Sequence, residues 1–336
     1  MIRVVKAGLL DTIQDNGRIG YQQYGVIQSG VMDSLSSRVA NLLVGNEEGE
    51  AILEMTLIGP KLLFQQDTLL AFCGGEFTPE IDGRRIPMWR PVLVLADSIV
   101  TIGSTKAGCR LVMAVAGGFD VPVVLESQST YLKARFGGFD GRCLRKGDVL
   151  RLHAPIRNPD KMMESYMACK TPTYAATSWS VAERVRPTVG KDYTIRVLSG
   201  RQKREFTSHS QKSFLTDVFT VDAQSDRMGY RLLGPNLRLA EPRELLSEAV
   251  TFGSVQVPSN GQPIVLMADR QTTGGYPKIA QVISVDLPML AQAKPGDRIR
   301  FQEVSIHTAQ QLLQQREFDL HELRVGIELK RKNGGI

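Results

Sequence analysis

Short apolar runs that stop at turn residues dominate the chain. In the first half they read "IRVV", "LLAFC", "PVLVLA", "SIVTIG" and "RLVMAVA". In the second half they read "TIRVLS", "FTVDA", "SVQVP", "PIVLMA", "AQVIS" and "RIRFQEV". These runs are rich in β-branched residues and are broken by turns such as "DGRR" at 82–85, which is typical of β-strands. Because many short strands with few helices indicate closed or nearly closed barrels, the predicted fold class is mainly β.

Two segments show helical periodicity instead. Asp33 suits the N-cap, and Gly45 the C-terminal stop, of a helix over 33–45 whose apolar residues share one face. A second predicted helix covers 305–319 and is capped by Ser305. Both helices are expected at the periphery of the barrels.

Five short motifs recur in the same order in the two halves of the chain. The pairs are "IRVVKAG" (2–8) with "IRVLSG" (195–200), "RIGY" (18–21) with "RMGY" (227–230), "GPKLLF" (59–64) with "GPNLRL" (234–239), "LVMAVAGGFDVP" (111–122) with "IVLMADRQTTGGYP" (264–277), and "KGDVLRL" (146–152) with "PGDRIRF" (295–301). Each echo is weak alone, but their common order indicates two copies of one domain. The predicted boundaries are 1–152 for the first barrel, 153–193 for a connector, 194–304 for the second barrel, and 305–336 for a C-terminal helix and tail.

The connector is rich in Pro, Ser, Thr and Ala and lacks sustained strand alternation. It also contains large apolar residues, among them Met162, Tyr166 and Trp179, which favour burial. We therefore expect it to wrap over the surface, with one helical turn, and not to act as a flexible tether.

A glycine-rich polar stretch, "QDNGRIGYQQYGVIQSGVMD" at 14–33, fits neither a plain strand nor a plain helix. Arg18 lies 41 positions before Gly59, whereas the corresponding Arg227 lies only 7 positions before Gly234. The stretch leads into the N-terminus of the predicted helix, where free backbone N–H groups favour an anion. An equally open alternative is that the glycines make tight turns while Asp15 and Arg18 pair locally.

The second copy has polar clusters of its own, "SDRMGYRLLG" at 225–234 and "ADRQTTGGYPKIA" at 268–280. Arginine forks and threonine hydroxyls match carboxylate or phosphoryl oxygens. The aspartates would orient those arginines or hold Mg²⁺. The "TTGGYP" segment also fits a long hairpin loop, so both interpretations stay open.

Composition excludes several classes of function. The 41 basic and 35 acidic residues are spread along the chain, with no block of the kind that nucleic-acid binders concentrate. No apolar run is long enough for a membrane span, and no signal peptide is evident. The four cysteines are scattered without metal-ligand spacing, which indicates free thiols in a reduced, cytoplasmic protein.

The familiar phosphate, dinucleotide, zinc-protease and serine-hydrolase motifs are absent from the sequence. There is no Met-Lys-Met tripeptide, so the chain has no biotin attachment site. The four histidines have no metal-ligand spacing, and no metal ligands are assigned.

The motif combination resembles the allophanate-hydrolase-subunit-2 family, also called the biotin-dependent carboxyltransferase family. The similarity rests on "QDNGRIGYQQYGVIQSGVMDSLSSRVANLLVGN", "LEMTLIGP", "SDRMGYRLLGP" and "DRQTTGGYPKIAQVI", and it runs from about residue 3 to 302. It implies a tandem pair of cyclophilin-like β-barrel domains. One segment departs from the family pattern, because "ESQST" at 126–130 stands where relatives usually have Gly-Ser-Arg-Ser-Thr.

The resemblance also implies an activity. A chain of this length is expected to work with two partners, the A and the KipI-like B subunits of a 5-oxoprolinase, in the ATP-dependent opening of 5-oxoproline to L-glutamate. ATP, with Mg²⁺, would be shared with the partner subunit. Two alternatives use the same fold: a carboxyltransferase subunit of a urea-carboxylase-like system, and a non-catalytic antagonist of a KipI-like inhibitor of a sporulation kinase.

The candidate site is expected between the two copies. The catalytic candidates are Asp15, Arg18, Asp226, Arg227 and Asp269. The candidates for binding substrate or nucleotide are Gln14, Gly17, Ser29, Asp33, Ser225, Tyr230, Arg231, Gln271, Thr272, Thr273, Gly274 and Tyr276. From the sequence we expect Arg227→Ala to leave the fold intact and to lower activity by at least ~100-fold.

Overall fold

The computed structural model describes residues 1–154, 169–170, 173–241 and 245–332. These residues form two compact units. The first unit comprises Met1–Gly17, Asp33–Pro187 and the C-terminal residues from Glu317 onward, and the second comprises Arg18–Met32 and Thr188–Arg316. Two segments depart from a simple division of the chain into halves: Arg18–Met32, near the start of the chain, belongs to the second unit, and the residues from Glu317 onward belong to the first.

The first unit is built from two antiparallel sheets. Its strands are β1 (Ile2–Lys6), β2 (Leu10–Gln14), β3 (Ile52–Thr56), β4 (Lys61–Phe64), β5 (Thr68–Glu76), β6 (Glu80–Ile81), β7 (Arg84–Arg85), β8 (Val92–Val94), β9 (Ile99–Thr101), β10 (Ala107–Val115), β11 (Val149–Leu150), β12 (Cys169–Lys170) and β13 (Tyr174–Ala176). One sheet has the order β11-β1-β4-β9-β6-β7, and the other β12-β13-β8-β5-β10-β3-β2. Both sheets contribute to one apolar core, which includes Phe64, Phe72 and Phe119.

Helix α1 (Ser34–Val44) packs on β5 and β10 of the first unit. Asp33 caps its N-terminus, and Gly45 ends it in the left-handed conformation with φ of 84°. The predicted boundaries of this helix are confirmed, because the cap, the apolar face and the terminating glycine are all local in sequence.

The second unit contains a closed barrel, which confirms the mainly β prediction. Its strands are β14 (Asp192–Ser199), β15 (Phe219–Val221), β16 (Gly229–Leu233), β17 (Glu248–Ala249), β18 (Ser254–Gln256), β19 (Ile264–Leu266), β20 (Thr273–Gly274), β21 (Lys278–Val282) and β22 (Arg298–Glu303). Seven of them close in the order β14-β21-β18-β19-β16-β15-β22, with β14 and β22 parallel, while β17 and β20 form a separate pair. Met32 is fully buried in this core beside strand residues such as Tyr230 and Phe301.

Three further helices belong to the described residues: α2 (Ser208–Thr216), α3 (Leu287–Ala291) and α4 (Ile306–Lys332). The predicted C-terminal helix over 305–319 is too short, since α4 has 27 residues. No helix among the described residues is long and apolar enough to cross a membrane.

Part of the predicted connector is a strand of the first unit. Tyr174–Ala176 pairs antiparallel with Val92–Val94, so this stretch extends a sheet instead of only covering the surface. Trp179 is partly buried, whereas Met162 and Tyr166 lie outside the described residues. Cys73 and Cys109 are buried and Cys143 is partly exposed, and none of these three forms a disulfide among the described residues.

Candidate functional site

The Asp15 carboxylate, which directly follows β2, is held by a loop of the first unit. Its Oδ1 accepts hydrogen bonds from the hydroxyl of Ser127 at 2.6 Å and from the backbone N–H of Gly17 at 2.8 Å. Its Oδ2 accepts one from the backbone N–H of Gln128 at 2.6 Å, and the Ser129 hydroxyl also donates to Oδ1. These contacts fix the loop against β2. They favour a structural role for Asp15, and its predicted catalytic role stays a prediction.

The departure from the family pattern at 126–130 lies in this loop and places a side chain in a strained backbone conformation. Glu126 has a φ of 58° and the preceding Leu125 a φ of 53°. This left-handed region costs a side-chain-bearing residue free energy and favours glycine. Glycine, the residue that the family resemblance leads us to expect here, would therefore be less strained, and hydrogen bonds to Asp15 stabilise the loop.

Gln14 and Asp33 also serve the local structure of the first unit. The Gln14 amide donates to the Thr12 hydroxyl at 3.0 Å and to the backbone carbonyl of Thr130 at 3.3 Å. The Asp33 carboxylate accepts from the backbone N–H and from the hydroxyl of Ser36, at 2.9 and 2.6 Å. The N-terminus of α1, where the sequence favours an external anion, thus already has its own carboxylate.

Arg227 and Asp269 form a buried ion pair in the second unit. The guanidinium donates from Nε and Nη2 to the two carboxylate oxygens, both at 3.0 Å, and Nη2 also donates to the Gly30 carbonyl at 2.6 Å. Both side chains are at most 7% exposed. This bidentate geometry is the strong form of the arginine–carboxylate pair. Arg227 therefore links the second barrel to the glycine-rich stretch at 14–33.

Arg270, the next residue after Asp269, is buried without an ion pair to any described residue. Its Nη2 donates to Gln28 Oε1 at 3.1 Å and its Nη1 to the Met267 carbonyl at 3.4 Å, while Nε has no partner among the described residues. It is 7% exposed, and burial lowers the pKa of its guanidinium to about 10, although the negative charge of the neighbouring Asp269 acts in the opposite direction. A buried cation of this kind is costly unless an anion faces it.

Ser29 lies between the two residues that contact these arginines, Gln28 and Gly30. It has a φ of 55°, and its hydroxyl is buried without a hydrogen-bond partner among the described residues. A buried unsatisfied hydroxyl and a buried unsatisfied guanidinium nitrogen are both rare. We call the six residues Gln28, Ser29, Gly30, Arg227, Asp269 and Arg270 the arginine cluster. Their donors suit a carboxylate or phosphoryl group.

The other predicted site residues of the second unit are spread over several environments. Arg18 is fully buried, and its backbone N–H donates to the Gln28 carbonyl at 2.7 Å. The Tyr230 hydroxyl donates to the Ala293 carbonyl at 3.0 Å inside the barrel. Asp226 is exposed and accepts from the backbone N–H groups of Met228 and Gly229 in a turn, as ordinary turn chemistry requires.

The remaining candidates are polar surface or turn residues. The Ser225 hydroxyl hydrogen-bonds to both backbone groups of Arg231, whose side chain is exposed. The remaining four candidates lie on either side of Gly274, which is buried. Gln271 and Thr272 are partly buried, and Thr273 and Tyr276 are exposed.

The sequence candidates thus divide between the two units. Gln14, Asp15, Gly17 and Asp33 belong to the first, and Arg18, Ser29 and the residues from 225 onward belong to the second. A common cleft for both groups stays a prediction. Sequence reasoning left Gln28 and Arg270 out of the final candidate set, because the local sequence of neither residue shows that it is buried or that the two side chains meet.

The described residues contain no group of three or more His, Cys, Asp or Glu side chains that could hold a metal ion. Asp269, one of the carboxylates considered for Mg²⁺, is engaged by Arg227. The donors of the arginine cluster are suited to an anion.

Comparison with known proteins agrees with the sequence motifs. The model of the carboxyltransferase domain, subdomains A and B, matches residues 24–303. The C subunit of 5-oxoprolinase from Haemophilus influenzae is 38% identical over 98% of this chain and 100% of its own length. The protein of the same name from Escherichia coli is 39% identical over 92% of this chain and 93% of its own length.

A solved structure of the Kluyveromyces lactis urea amidolyase has the same fold, with a TM-score of 0.85 and 31% identity. The similarity covers 95% of this chain but only 20% of that much longer one. The family match spans well over half of the chain, and the two curated relatives are similar over nearly all of it. The chain therefore belongs to the carboxyltransferase domain family of subdomains A and B.

Proposed function

We propose that this chain is one component of an ATP-dependent 5-oxoprolinase, which opens 5-oxoproline to L-glutamate. The observation that carries the proposal is the similarity to two proteins named as the C subunit of 5-oxoprolinase, at 38% and 39% identity over nearly the whole chain. A protein with such a name works with other subunits. We propose that the partners are the A and the KipI-like B subunits of the same enzyme.

The arginine cluster is consistent with this substrate. 5-Oxoproline is a small lactam with a free carboxylate, and a carboxylate is the partner that the buried Arg270 guanidinium and Ser29 hydroxyl lack among the described residues. We propose that Arg270 and Ser29 hold the substrate carboxylate, while Arg227 positions Gly30 and the adjoining backbone.

The lactam itself is a stable amide and needs activation before hydrolysis. Transfer of a phosphoryl group from ATP to the lactam oxygen would make the ring carbon electrophilic. Water would then add to that carbon, the ring C–N bond would break, and phosphate would leave. The contribution of this chain is to position and to neutralise charge. Mg²⁺ would accompany ATP and be shared with the partner subunits, because the described residues offer no three-ligand metal group.

Reconstitution with the partner subunits tests the proposal. The chain is co-purified with the candidate A and B subunits, and 5-oxoproline-dependent ATP hydrolysis is measured with and without it. We expect turnover from the complete complex and negligible turnover from the chain alone. A complex that forms but shows no such activity would contradict the proposal and favour the non-catalytic antagonist.

The variant Arg270→Met tests the carboxylate anchor. The change removes a charge that has no ion-pair partner among the described residues, so we expect the fold and partner binding to be kept. We expect kcat/KM for 5-oxoproline to fall by at least ~100-fold, the scale for losing one charge-stabilising group. Arg300→Met, at an exposed arginine of β22, is the matched control. Unchanged kcat/KM in Arg270→Met would remove the arginine cluster from the substrate site.

The second candidate function is carboxyl transfer from carboxybiotin to urea. It is favoured by the family match and by the similarity to urea amidolyase. The biotin would have to be carried by another chain, because this one lacks a Met-Lys-Met tripeptide. Urea-dependent consumption of carboxybiotin by the reconstituted complex, without 5-oxoproline-dependent ATP hydrolysis, would select this function.

A further inference from the structure

A cavity of about 760 Å³ opens in the second unit, apart from the arginine cluster. Its floor is apolar and consists of Phe206, Leu237 and Val257, each at most 3% exposed. Pro258 and Pro277 add rigid walls. Volumes of ~300–1,000 Å³ are typical of pockets that hold drug-sized ligands, so this cavity fits a body much larger than one five-membered ring.

Backbone hydrogen bonds brace the segments that line the cavity. The N–H of Val257 donates to the Pro277 carbonyl, and the N–H of Leu237 to the Gly261 carbonyl, both at 3.0 Å. The Arg238 backbone is fixed on both sides, since its N–H donates to the Ser210 hydroxyl at 2.8 Å and its carbonyl accepts from the Thr207 N–H at 3.0 Å. A pocket with such a frame is preformed, which lowers the entropic cost of binding.

Among the described residues, the rim of the cavity carries one cation. The Arg238 side chain is exposed and forms no hydrogen bond or ion pair with a described residue. Beside it, Tyr276 presents a large ring at 49% exposure, and Ser259 is exposed. An apolar floor with one unengaged guanidinium at the mouth is complementary to a molecule that has an apolar ring system at one end and an anion at the other.

We propose that this cavity binds a small amphipathic anion, with an aromatic or alicyclic body on the apolar floor and a carboxylate or similar group at Arg238. The site is distinct from the arginine cluster, because none of the six residues of that cluster lines it. Tyr276, a binding candidate from the sequence, and the neighbouring Gly275 supply part of its wall. The inference does not depend on the proposed oxoprolinase activity.

Two fluorescent probes with similar aromatic bodies test the proposal on the full chain. 8-Anilinonaphthalene-1-sulfonate carries an anion, and N-phenyl-1-naphthylamine is its neutral counterpart. We expect the anionic probe to bind saturably at one site per chain and at least tenfold more tightly than the neutral one. Ser259→Trp, which places an indole in the exposed mouth, is expected to abolish binding of both probes. Binding unaffected by Ser259→Trp would overturn the assignment of the cavity.

The charge at the rim is tested separately. We expect Arg238→Gln to weaken the anionic probe about tenfold, the scale for one charged contact, and to leave the neutral probe unchanged. Arg300→Gln, at an exposed arginine elsewhere on the barrel, is the control and should change neither affinity. Methyl resonances of Leu237, Leu239 and Val257 should shift on titration, which locates the probe independently of the variants. Equal affinities for both probes, or an Arg238→Gln variant with wild-type affinity, would contradict anion recognition.

Discussion

Arg227 and Arg270 are both buried in the second unit, yet their surroundings differ. Arg227 faces the Asp269 carboxylate through two hydrogen bonds, whereas Arg270 has only neutral acceptors among the described residues. Removing one member of a buried ion pair strands the other charge, but removing a buried cation without an ion pair relieves a desolvation cost. The two arginines should therefore respond in opposite ways to neutral substitution.

Arg227→Ala is expected to destabilise the second unit by about 3 kcal/mol, because it leaves the Asp269 carboxylate buried and unpaired. This differs from the expectation drawn from sequence, in which the fold stays intact. Thermal unfolding with hydrogen exchange of β16 and β19 measures the effect. The double variant R227A/D269N removes the stranded charge and should regain part of the loss. An Arg227→Ala protein as stable as wild type would show that the pair contributes nothing.

In the first unit, Asp11 is a buried ionisable group whose charged form is costly to desolvate. Its Oδ2 accepts from the backbone N–H of Gly8 at 2.5 Å, but its Oδ1 is buried without a partner among the described residues. Burial raises the pKa of this carboxyl to about 7, above its ordinary value of 3.8. The folded state thus binds a proton that the unfolded state has released between these pH values, so stability falls as pH rises from about 4 to about 7 and then levels off.

Asp11→Asn should remove this pH dependence and stabilise the first unit at pH 8 by roughly 3 kcal/mol, with little effect at pH 4. The measurement is urea denaturation followed by tryptophan fluorescence. Both tryptophans, Trp89 and Trp179, lie in the first unit, so the signal reports that unit alone. A wild-type profile that rises or stays flat between pH 4 and 7 would contradict the raised pKa.

These residues show where sequence reasoning reaches its limit. The prediction of Asp33 as a cap is confirmed, because its partner, Ser36, is three positions away. Sequence reasoning misses Arg270 because its contact with Gln28 joins positions 242 residues apart, and burial at that distance leaves no local pattern. Local hydrogen bonds can be predicted from residue type and spacing, whereas the environment of a charge depends on the tertiary fold.

At the scale of elements, α4 differs most from its prediction. Its exposed face carries Phe318 and Leu329, and its buried positions Leu320 and Ile327 are too widely spaced for a strong amphipathic pattern. Ion pairs hold its second half on the first unit, since Arg38 bridges Glu317 and Glu48, and Arg324 also contacts Glu48. Glu317 and Glu48 raise the pKa of the Arg38 guanidinium further above its ordinary value. The added length depends on tertiary contacts that the sequence pattern does not show.

Ile327→Ala is expected to destabilise the first unit by about 2–3 kcal/mol, because the side chain is 4% exposed and its removal leaves a cavity. Leu329→Ala is the matched control in the same turn. That side chain is 54% exposed, so the change should cost less than about 0.5 kcal/mol. The free energies of unfolding of both variants are measured by urea denaturation followed by tryptophan fluorescence. Equal losses from the two variants would show that this part of α4 does not pack as described.

At the scale of the whole molecule, the compact units differ from the two sequence copies in Arg18–Met32 and in the residues from Glu317 onward. Arg18–Met32 leaves the first unit after Gly17 and contributes to the second, and the chain returns at Asp33. Met32 is completely buried in the second core, and Gly30 and Gln28 contact the two buried arginines. The echoes reveal two domains but not this exchange, because the exchanged segment lies where the first copy departs most from the second.

A fragment of residues 188–316 should therefore fold poorly by itself. It would expose the apolar surface that Met32 covers and the polar groups that bind 28–30. Adding a synthetic peptide of residues 18–32 should restore cooperative unfolding, as measured by circular dichroism, while a peptide with Met32→Asp should not. A fragment that unfolds cooperatively and at the same temperature with and without the peptide would rule out this dependence.

The placement of residues 18–32 in the second unit also affects folding during synthesis. Residues 18–32 leave the ribosome early, but the barrel that receives them is complete only after roughly 280 more residues, which takes about 15–60 s at ordinary rates of synthesis. During that interval the segment has no binding site, although the first unit around it can already form up to Pro187. The segment carries Val26, Ile27, Val31 and Met32 beside three glycines, so while it waits it exposes apolar side chains that the finished barrel would cover. Slow elongation, or early release of a truncated chain, would expose Met32 and its neighbours to chaperones and proteases.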